Sequence, residues 1–427
     1  MGPRFGARLS GEMIHRVTVH ARPTGINRCF LVVETQKRPG MRYRDSILGS
    51  LLKPLLRWRF DAIVARHRGD AYDKSFGSWV HLVTLIFAQL ARVDSLRALA
   101  ARWNAQSHHH YHLGAAPVAR STLADANARR PVAVFADTFA VLSALADRRL
   151  KREGTAMLRL IDATPIPLNC LCAWADWNGR THGLKLHLVY EPGRDHPRGL
   201  EITPATVNDV EVGRAQPVEA GATYVFDKAY CDYAWWTRID RAGAWFVTRQ
   251  KKNAPYRWTA WRPVHKRAGD GFTIIDDAEV RLVSQGKAKL PIAMRRIRLH
   301  RADGARITLI TNDHTRPAVT IAALYKARWQ IELLFRWIKQ HLNLKKFLGR
   351  SQNAIRLQIL AAMIAYLLLR LAAIAARSTL PALRFADLVH DALFVRKPFA
   401  RIDKPPEVNP SKPKPRLHPN QLEFCYA

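Results

Sequence analysis

The sequence predicts an α/β protein in which a helical N-terminal region precedes a sheet with helices on its faces. Apolar residues recur every three or four positions from Ser46 to about Leu150, as in helices that pack on a core. From Met157 the period changes to two, which indicates strands, and the helical period returns near Ile321. This order of elements is typical of the α/β class.

Composition narrows the possible partners of such a fold. The 427 residues include 68 Lys and Arg against 34 Asp and Glu, so the net charge is +34, while 48% of residues are hydrophobic. That hydrophobic fraction excludes a disordered chain, so the charge lies on a folded body that repels itself unless a polyanion is near. Nucleic acid is the commonest such partner. A membrane surface and a ribosomal partner stay open on charge alone.

Cysteine usage and the apolar runs favour a cytoplasmic protein without a membrane partner. Five scattered cysteines form no Cys-x-x-Cys pair, which argues against a disulfide framework or a structural zinc site. We expect no secretory signal. The apolar stretch 357–376 has an uninterrupted part of only eleven residues, 359–369, which predicts a buried core helix rather than a bilayer crossing.

The chain begins with an irregular basic segment. Residues 1–40 carry scattered Arg, Gly and Pro without a period, and we expect them to be disordered. They are either a basic arm that touches DNA or translation upstream of a natural start at Met41. The predicted helical DNA-binding domain then spans residues 41–150.

A helix-turn-helix arrangement is one interpretation of this helical region, and a plain helical bundle is the other. Thr122 and Asp125 resemble a capping box that opens a short helix, on which Arg129 and Arg130 would face DNA. Four nearby histidines lack the spacing of a helical metal site and predict a solvated loop: His108, His109, His110 and His112.

Two predicted strands in the middle of the chain end in a carboxylate. Asp162 follows the apolar strand that starts at Leu158, and Asp227 follows the strand 223–226. Further strands are predicted at 184–190, 200–204 and 244–248, with a helix at 233–241. Strand-like pieces separated by turns predict an inserted β-subdomain at 250–311, and a tail with six prolines among Lys and Arg predicts a disordered extension.

The densest chemical pattern lies in a predicted helix over residues 324–339. At about 100° per residue, its polar groups share an arc of roughly 60°, beside an apolar stripe. The helix would therefore present a carboxylate flanked by two cations and a phenol. An ordinary solvated face is the alternative, but a phosphate approaching a metal-bound carboxylate suits these groups better. They are Tyr325, Arg328, Glu332 and Lys339.

The spacing of these four residues, Tyr-x2-Arg-x3-Glu-x6-Lys, resembles the signature of the insertion-sequence-4 family of DDE transposases. The segments Leu160-Ile-Asp-Ala-Thr and Val225-Phe-Asp-Lys-Ala-Tyr resemble the blocks around that family's first and second catalytic aspartates. The resemblance extends from Met41 to about Phe399.

This resemblance implies a ribonuclease-H-like catalytic core at 151–249 and 312–395, with a β-rich insertion at 250–311. The composition predicts that a basic Pro-rich tail follows at 396–427. The resemblance also implies that the catalytic residues hold two Mg²⁺ ions, with Mn²⁺ as the alternative. The implied catalytic and metal-binding residues are Asp162, Asp227 and Glu332, and the implied DNA-binding residues are Tyr325, Arg328 and Lys339.

The activity implied is cut-and-paste transposition, in which the ends of a mobile element are cleaved and joined to target DNA. The partners implied are terminal inverted repeats and target DNA, bound by a homo-oligomer in the cytoplasm at the nucleoid. Two alternatives are a nuclease of the same fold without strand transfer and a catalytically inactive DNA-binding regulator. The intact Asp, Asp and Glu set argues against the regulator, because a pure binder has no need of converging carboxylates.

Four further residues have two interpretations each. Trp258 and Trp261, in the insertion, are candidates for stacking a flipped base as in related hairpin-forming enzymes, or are core residues. Lys185 and His187 lie on a strand expected to border the site, where they touch DNA or are structural.

Overall fold

The computed structural model divides into two compact units, Met1–Arg44 and Asp45–Ala427. The described residues all belong to the second unit, so the predicted N-terminal arm and most of the C-terminal tail lie outside them. They are residues 45–404, apart from 72, 74, 151–156, 169–171, 178, 180–181, 252–255, 265–267, 270, 283–291, 343 and 345.

Helices make up the described chain before residue 150. They are α1 (Ile47–Leu52), α2 (Arg57–Arg66), α3 (Ser78–Leu90), α4 (Leu96–Asn104), α5 (Ser107–Leu113), α6 (Arg120–Arg129) and α7 (Val132–Arg149). The longest of them, α7, and the buried α3 form the centre of this part, and α3 has almost all of its residues inside the core. Ser46 and Ser95 cap α1 and α4 through their side chains.

Helix α6 differs from its predicted form. It begins at Arg120 behind Ala119, which makes no side-chain cap, so Thr122 and Asp125 lie within the helix and the predicted capping box is wrong. Arg130 does not face solvent, because it is only 4% exposed and its Nη1 lies 2.6 Å from an Asp70 carboxylate oxygen. Arg129 is exposed.

The histidine-rich segment is a helix rather than the predicted loop. It forms α5, which ends at Gly114 in the left-handed conformation (φ 59°) that glycine adopts without strain. His110 is buried and stacks on the Trp103 ring, with the ring centroids 4.2 Å apart. The tertiary contact with Trp103 overrides the local polarity on which the loop prediction rested.

A ten-stranded sheet is formed by the described residues between 157 and 311, and the mixed α/β class is confirmed. The strands are β1 (Met157–Pro167), β2 (Gly183–Glu191), β3 (His196–Pro204), β4 (Ala222–Phe226), β5 (Trp245–Arg249), β6 (Tyr256–Trp261), β7 (Ala268–Gly269), β8 (Phe272–Leu282), β9 (Met294–Arg301) and β10 (Arg306–Thr311). Their order in the sheet is β3-β2-β1-β4-β5-β10-β9-β8-β6, with β7 paired to β8. Helices α8 (Asp209–Ala215) and α9 (Tyr233–Arg241) precede and follow β4.

The three central strands β1, β4 and β5 run parallel, and β2 is antiparallel to both β1 and β3. Strand β1 does not end at Asp162 as predicted. It continues to Pro167 because β2 keeps pairing with it as far as Gly183, whereas β4 stops at Phe226. A Cβ on Gly183 would lie 2.3 Å from the Ile166 carbonyl oxygen, so only glycine allows this close approach.

The predicted inserted β-subdomain is an extension of the central sheet. Strand β10 pairs with β5 on one side and with β9 on the other, so the sheet is continuous. Strand β8 is a single strand with a bulge near Asp276, where two pieces were predicted. Asp276 and Asp277 interrupt its apolar pattern, yet both are buried because they pair with arginines of β9.

The chain returns to helices after the sheet: α10 (Ala318–Ala327), α11 (Trp329–His341), α12 (Gln352–Ala375) and α13 (Ala382–Asp391). By length and composition alone, α12 is the one helix among the described residues that is apolar enough to cross a membrane. It is largely buried and packs against α3 and α7, so it is a core helix of this fold.

Candidate active site

Two carboxylates lie side by side where the parallel pairing of β1 with β4 ends. The last paired residues of β1 and β4 are Ile161 and Phe226, and the next residues are Asp162 and Asp227. Side chains in register on neighbouring parallel strands point to the same face of a sheet. The pairing of the strands therefore brings together two acids that are 65 positions apart in the sequence.

Arg328 connects the third carboxylate to this pair. Its Nη2 lies 2.7 Å from the Glu332 Oε1, and its Nη1 lies 3.5 Å from the Asp162 Oδ2. The Tyr325 ring lies near the same guanidinium, 5.8 Å from its central carbon. Arg328 thus forms ion pairs with carboxylates of both β1 and α11.

The continuous helix predicted over 324–339 is two helices that meet at Arg328. The N–H groups of Arg328 and Ile331 bond to carbonyls three residues back, so the chain is wound more tightly here than in an α-helix. The tighter winding lies where Arg328 makes its two ion pairs. Helical periodicity alone does not predict this joint, and one of the two ion pairs made there reaches Asp162, on a strand far away in the sequence.

Lys339 attaches the far end of α11 to β1. Its Nζ donates to the Thr164 Oγ1 at 2.6 Å and to the Pro165 carbonyl oxygen at 2.9 Å. Thr164 lies two residues beyond Asp162 and therefore on the same face of the strand. The structure brings together all six residues that the sequence singled out: Asp162, Asp227, Tyr325, Arg328, Glu332 and Lys339.

The carboxylates influence one another electrostatically. The pKa of Asp162 is raised to about 6, mainly by burial and to a smaller extent by the negative charges of Glu332 and Asp227. The Ala163 N–H and the Arg328 guanidinium oppose this rise by stabilising the charged form. Crowded, partly buried acids beside a cation are typical of a functional site.

The sequence matches the family described as the Transposase DDE domain over residues 153–368, and a domain family of unknown function over residues 43–116. It is 60% identical over 305 residues to a protein described as a transposase in Sinorhizobium fredii, an alignment that covers 71% of this chain and 86% of that protein.

The chain belongs to the DDE transposase family.

A more distant relative is described as the transposase of an insertion sequence element in Geobacillus stearothermophilus, 31% identical over 50% of this chain and 56% of its own. Among solved structures, a piggyBac transposase synaptic complex with hairpin DNA aligns with a TM-score of 0.41 and 10% identity, covering 86% of this chain and 81% of that one. As a member of the DDE family, this chain is a transposase, an enzyme that acts on DNA.

DDE transposases use divalent metal ions, and the carboxylates of this one suit them, because hard cations prefer oxygen ligands. The Asp227 Oδ1 is buried without a hydrogen-bond partner among the described residues, which leaves it free to bind a cation. Within the described chain no three His, Cys, Asp or Glu side chains converge closely enough for one ion. Arg328 lies between Asp162 and Glu332 and forms an ion pair with each.

Two other predicted residues of this transposase have structural partners. The Lys185 Nζ lies 2.9 Å from an Asp209 carboxylate oxygen and donates to a backbone carbonyl. His187 is buried and bonds to the Thr203 hydroxyl, and burial lowers its pKa to about 4. These contacts favour the structural interpretation for both residues.

The tryptophans of the insertion are exposed. Trp258 and Trp261 stack on each other with ring centroids 4.5 Å apart and are 41% and 65% exposed. The alternative that they are core residues is therefore wrong. The Arg296 guanidinium lies over the Trp258 ring at 4.0 Å.

Sequence reasoning missed Thr164 as a part of this site. The signal was present, because a residue two positions after Asp162 on a strand points to the same face. Its partner Lys339 lies 175 positions away, so the contact itself has no local signature.

Proposed function

We propose that this transposase cleaves the ends of its own mobile element and joins them to target DNA through Asp162, Asp227 and Glu332. The observation that carries the proposal is the parallel pairing of β1 with β4, because Asp162 and Asp227 directly follow its last pair of residues. The Arg328 bridge to Glu332 supports the third acid. Water as the nucleophile gives strand cleavage, and a DNA 3′-hydroxyl gives strand transfer.

The three carboxylates would hold two Mg²⁺ ions, with Mn²⁺ as the alternative. When bound, such ions activate the attacking oxygen and stabilise the leaving oxygen of phosphoryl transfer. The partnerless Asp227 Oδ1 supports this assignment, because a buried oxygen without a donor is costly unless it binds a cation.

Tyr325, Arg328 and Lys339 are the proposed DNA-binding residues of the site. Arg328 would neutralise phosphate charge near the scissile bond, and Lys339 would donate to a neighbouring phosphate. Burial raises the pKa of Tyr325, so its phenol stays protonated and can donate a hydrogen bond to a phosphate.

The catalytic core is proposed to be ribonuclease-H-like, at 151–249 and 312–395. The strand order β3-β2-β1-β4-β5, with β2 antiparallel to its neighbours, supports this fold. Residues 250–311 form the proposed insertion, on which Trp258 and Trp261 offer an exposed surface for a flipped base.

The helical part, 41–150, is proposed to bind the element ends. Arg120 and Arg129 at the two ends of α6 are exposed, and no partner is found for either among the described residues. Cationic side chains without acidic partners are free to neutralise phosphates. We further propose a homo-oligomer in the DNA complex, working in the cytoplasm at the nucleoid.

The test is cleavage of a plasmid that carries both element ends, in Mg²⁺ and in Mn²⁺. We expect the wild type to make breaks at the ends and to join them to a second plasmid. Glu332→Gln should abolish both products while the protein still binds the ends and stays folded, because one metal-binding oxygen is lost without a change of shape.

The matched control is Glu201→Gln, an exposed acid on β3 that should cleave like the wild type. Breaks at the ends without joined products would show that the protein is a nuclease that does not carry out strand transfer. End binding without breaks in either metal would indicate a DNA-binding regulator. Full activity of Glu332→Gln would show that Glu332 is not a catalytic residue.

A further inference from the structure

The Lys339 ammonium is held by β1 through two of its three N–H groups. One donates to the Thr164 hydroxyl oxygen at 2.6 Å and another to the Pro165 carbonyl oxygen at 2.9 Å. An ammonium group has three donors and no acceptor. No third partner is found among the described residues, which leaves one N–H of Lys339 to donate to a ligand.

Thr164 fixes where that remaining N–H lies. It is 8% exposed and shares a face of β1 with Asp162, so its hydroxyl has a defined position relative to the carboxylates. A free lysine side chain populates many rotamers, and a charged hydrogen bond to a buried partner restricts them. The Pro165 carbonyl is part of the backbone, so Thr164 is the only one of the two partners that a substitution can remove.

We propose that Thr164 is a positioning residue of the transposition reaction, holding Lys339 so that its third N–H meets a DNA phosphate beside the carboxylates. The inference rests on the proposed function, because it assumes that the scissile strand lies at Asp162. Thr164 touches neither the substrate nor a metal ion, and it acts through Lys339.

Loss of the Thr164 hydroxyl should lower the rate of end cleavage and leave the affinity for DNA nearly unchanged. Without the hydroxyl, Lys339 keeps its charge and still attracts DNA, but its N–H reaches the phosphate in only a fraction of its conformations. We expect Thr164→Val to lower the single-turnover rate of end cleavage about tenfold, as for one hydrogen bond to a charged group. The dissociation constant for the ends should stay within about twofold, since overall charge is unchanged.

Two variants control for packing. Thr164→Ser keeps the hydroxyl and should restore the wild-type rate. Thr248→Val makes the same substitution at a fully buried threonine of β5 whose hydroxyl has no hydrogen-bond partner among the described residues, so it should leave cleavage unchanged. Thermal unfolding of each variant shows whether a slow rate reflects a poorly folded protein.

A double-mutant cycle with Lys339→Gln tests whether Thr164 acts through the lysine. Thr164→Val should slow the wild type about tenfold and the Lys339→Gln protein hardly at all, because the hydroxyl has nothing to position there. Equal slowing in both backgrounds, or a Thr164→Val protein as fast as the wild type, would overturn the inference.

A measurement without catalysis separates this inference from the proposed function. Reductive methylation of the full chain, followed by mass spectrometry, reports how freely the Lys339 amine reacts. We expect slow labelling in the wild type and in Thr164→Ser, faster labelling in Thr164→Val, and added protection of wild-type Lys339 by end DNA. If the wild type does not cleave yet this pattern appears, the positioning of Lys339 stands and the proposed function fails. Equal labelling in all variants would refute the positioning itself.

Discussion

Among the single residues of the site, Arg328 links two acids that lie on different elements. Its guanidinium is shared between Glu332 and Asp162, two carboxylates proposed to bind metal. A cation that pairs with a carboxylate competes with a metal ion for the same oxygens. In the protein without DNA, Arg328 should therefore weaken metal binding, and a DNA phosphate that attracts Arg328 should strengthen it.

Arg328→Gln should consequently bind Mn²⁺ several-fold more tightly than the wild type in the absence of DNA. Titration calorimetry at pH 8 checks this, because Asp162, with a pKa of about 6, is then ionised in the wild type. Arg336→Gln is the matched control, an exposed arginine on the same helix whose loss should leave the affinity unchanged. Unchanged or weaker binding by Arg328→Gln would show that Arg328 does not compete with the ion.

The same residues show what the sequence could predict about the site. Helical spacing and family signature identify Tyr325, Arg328, Glu332 and Lys339, because their common face is a local property of α10 and α11. The Arg328 ion pair with Asp162 and the Lys339 contact with Thr164 join residues far apart in sequence, and no local pattern specifies them.

Between secondary-structure elements, a buried hydrogen bond of two neutral side chains joins helices α3 and α6. The His81 Nε2 lies 2.8 Å from the Asn127 Oδ1. Burial lowers the pKa of His81 to about 3, whereas an unfolded histidine titrates near 6.5. Between these two values the unfolded chain binds one more proton than the folded chain at this position. Stability therefore falls as the pH drops below about 6.5, by at most about 1.4 kcal/mol per pH unit for this group.

Urea unfolding at pH 7 and pH 5 should show this loss in the wild type. In His81→Gln the difference between the two pH values should be smaller, because a neutral amide replaces the group that titrates. His108→Gln, at an exposed histidine of α5, should keep the wild-type difference. Identical pH dependence in His81→Gln and the wild type would mean that His81 is protonated in the folded protein.

Element types and boundaries were predictable to different degrees. Helix α9 was predicted at its observed residues, because its period is local. Strand β8 was predicted as two pieces, because its buried Asp276 and Asp277 look like turn residues until the β9 arginines are known. The segment 250–311 was predicted as a β-rich insertion without its pairing to β5, since that strand pairing is not encoded in any one segment.

Across the second unit, the helical part shares a hydrophobic core with part of the sheet, while further sheet residues form a second cluster with α9. One cluster of buried residues runs from Leu82 of α3 through Ile364 of α12 to Leu160 of β1. The helix α12 follows the sheet in sequence but packs on α3 and α7. Asp147 of α7 also pairs with Arg198 of β3, at 3.0 Å. The boundary predicted at residue 150 therefore separates segments that bury each other's apolar surface.

A fragment of residues 41–150 should thus fail to fold alone, because removing α12 exposes the apolar faces of α3 and α7 to water. Circular dichroism should show no cooperative thermal transition for this fragment. The full chain should unfold in a single step, with coincident far-ultraviolet and tryptophan fluorescence transitions. A fragment that unfolds cooperatively would make the helical part an independent domain, with α12 docked on a surface that is stable without it. The DNA affinity of such a fragment could then be measured apart from the catalytic sheet. If the fragment does not fold, end binding and cleavage both depend on the folding of the shared core.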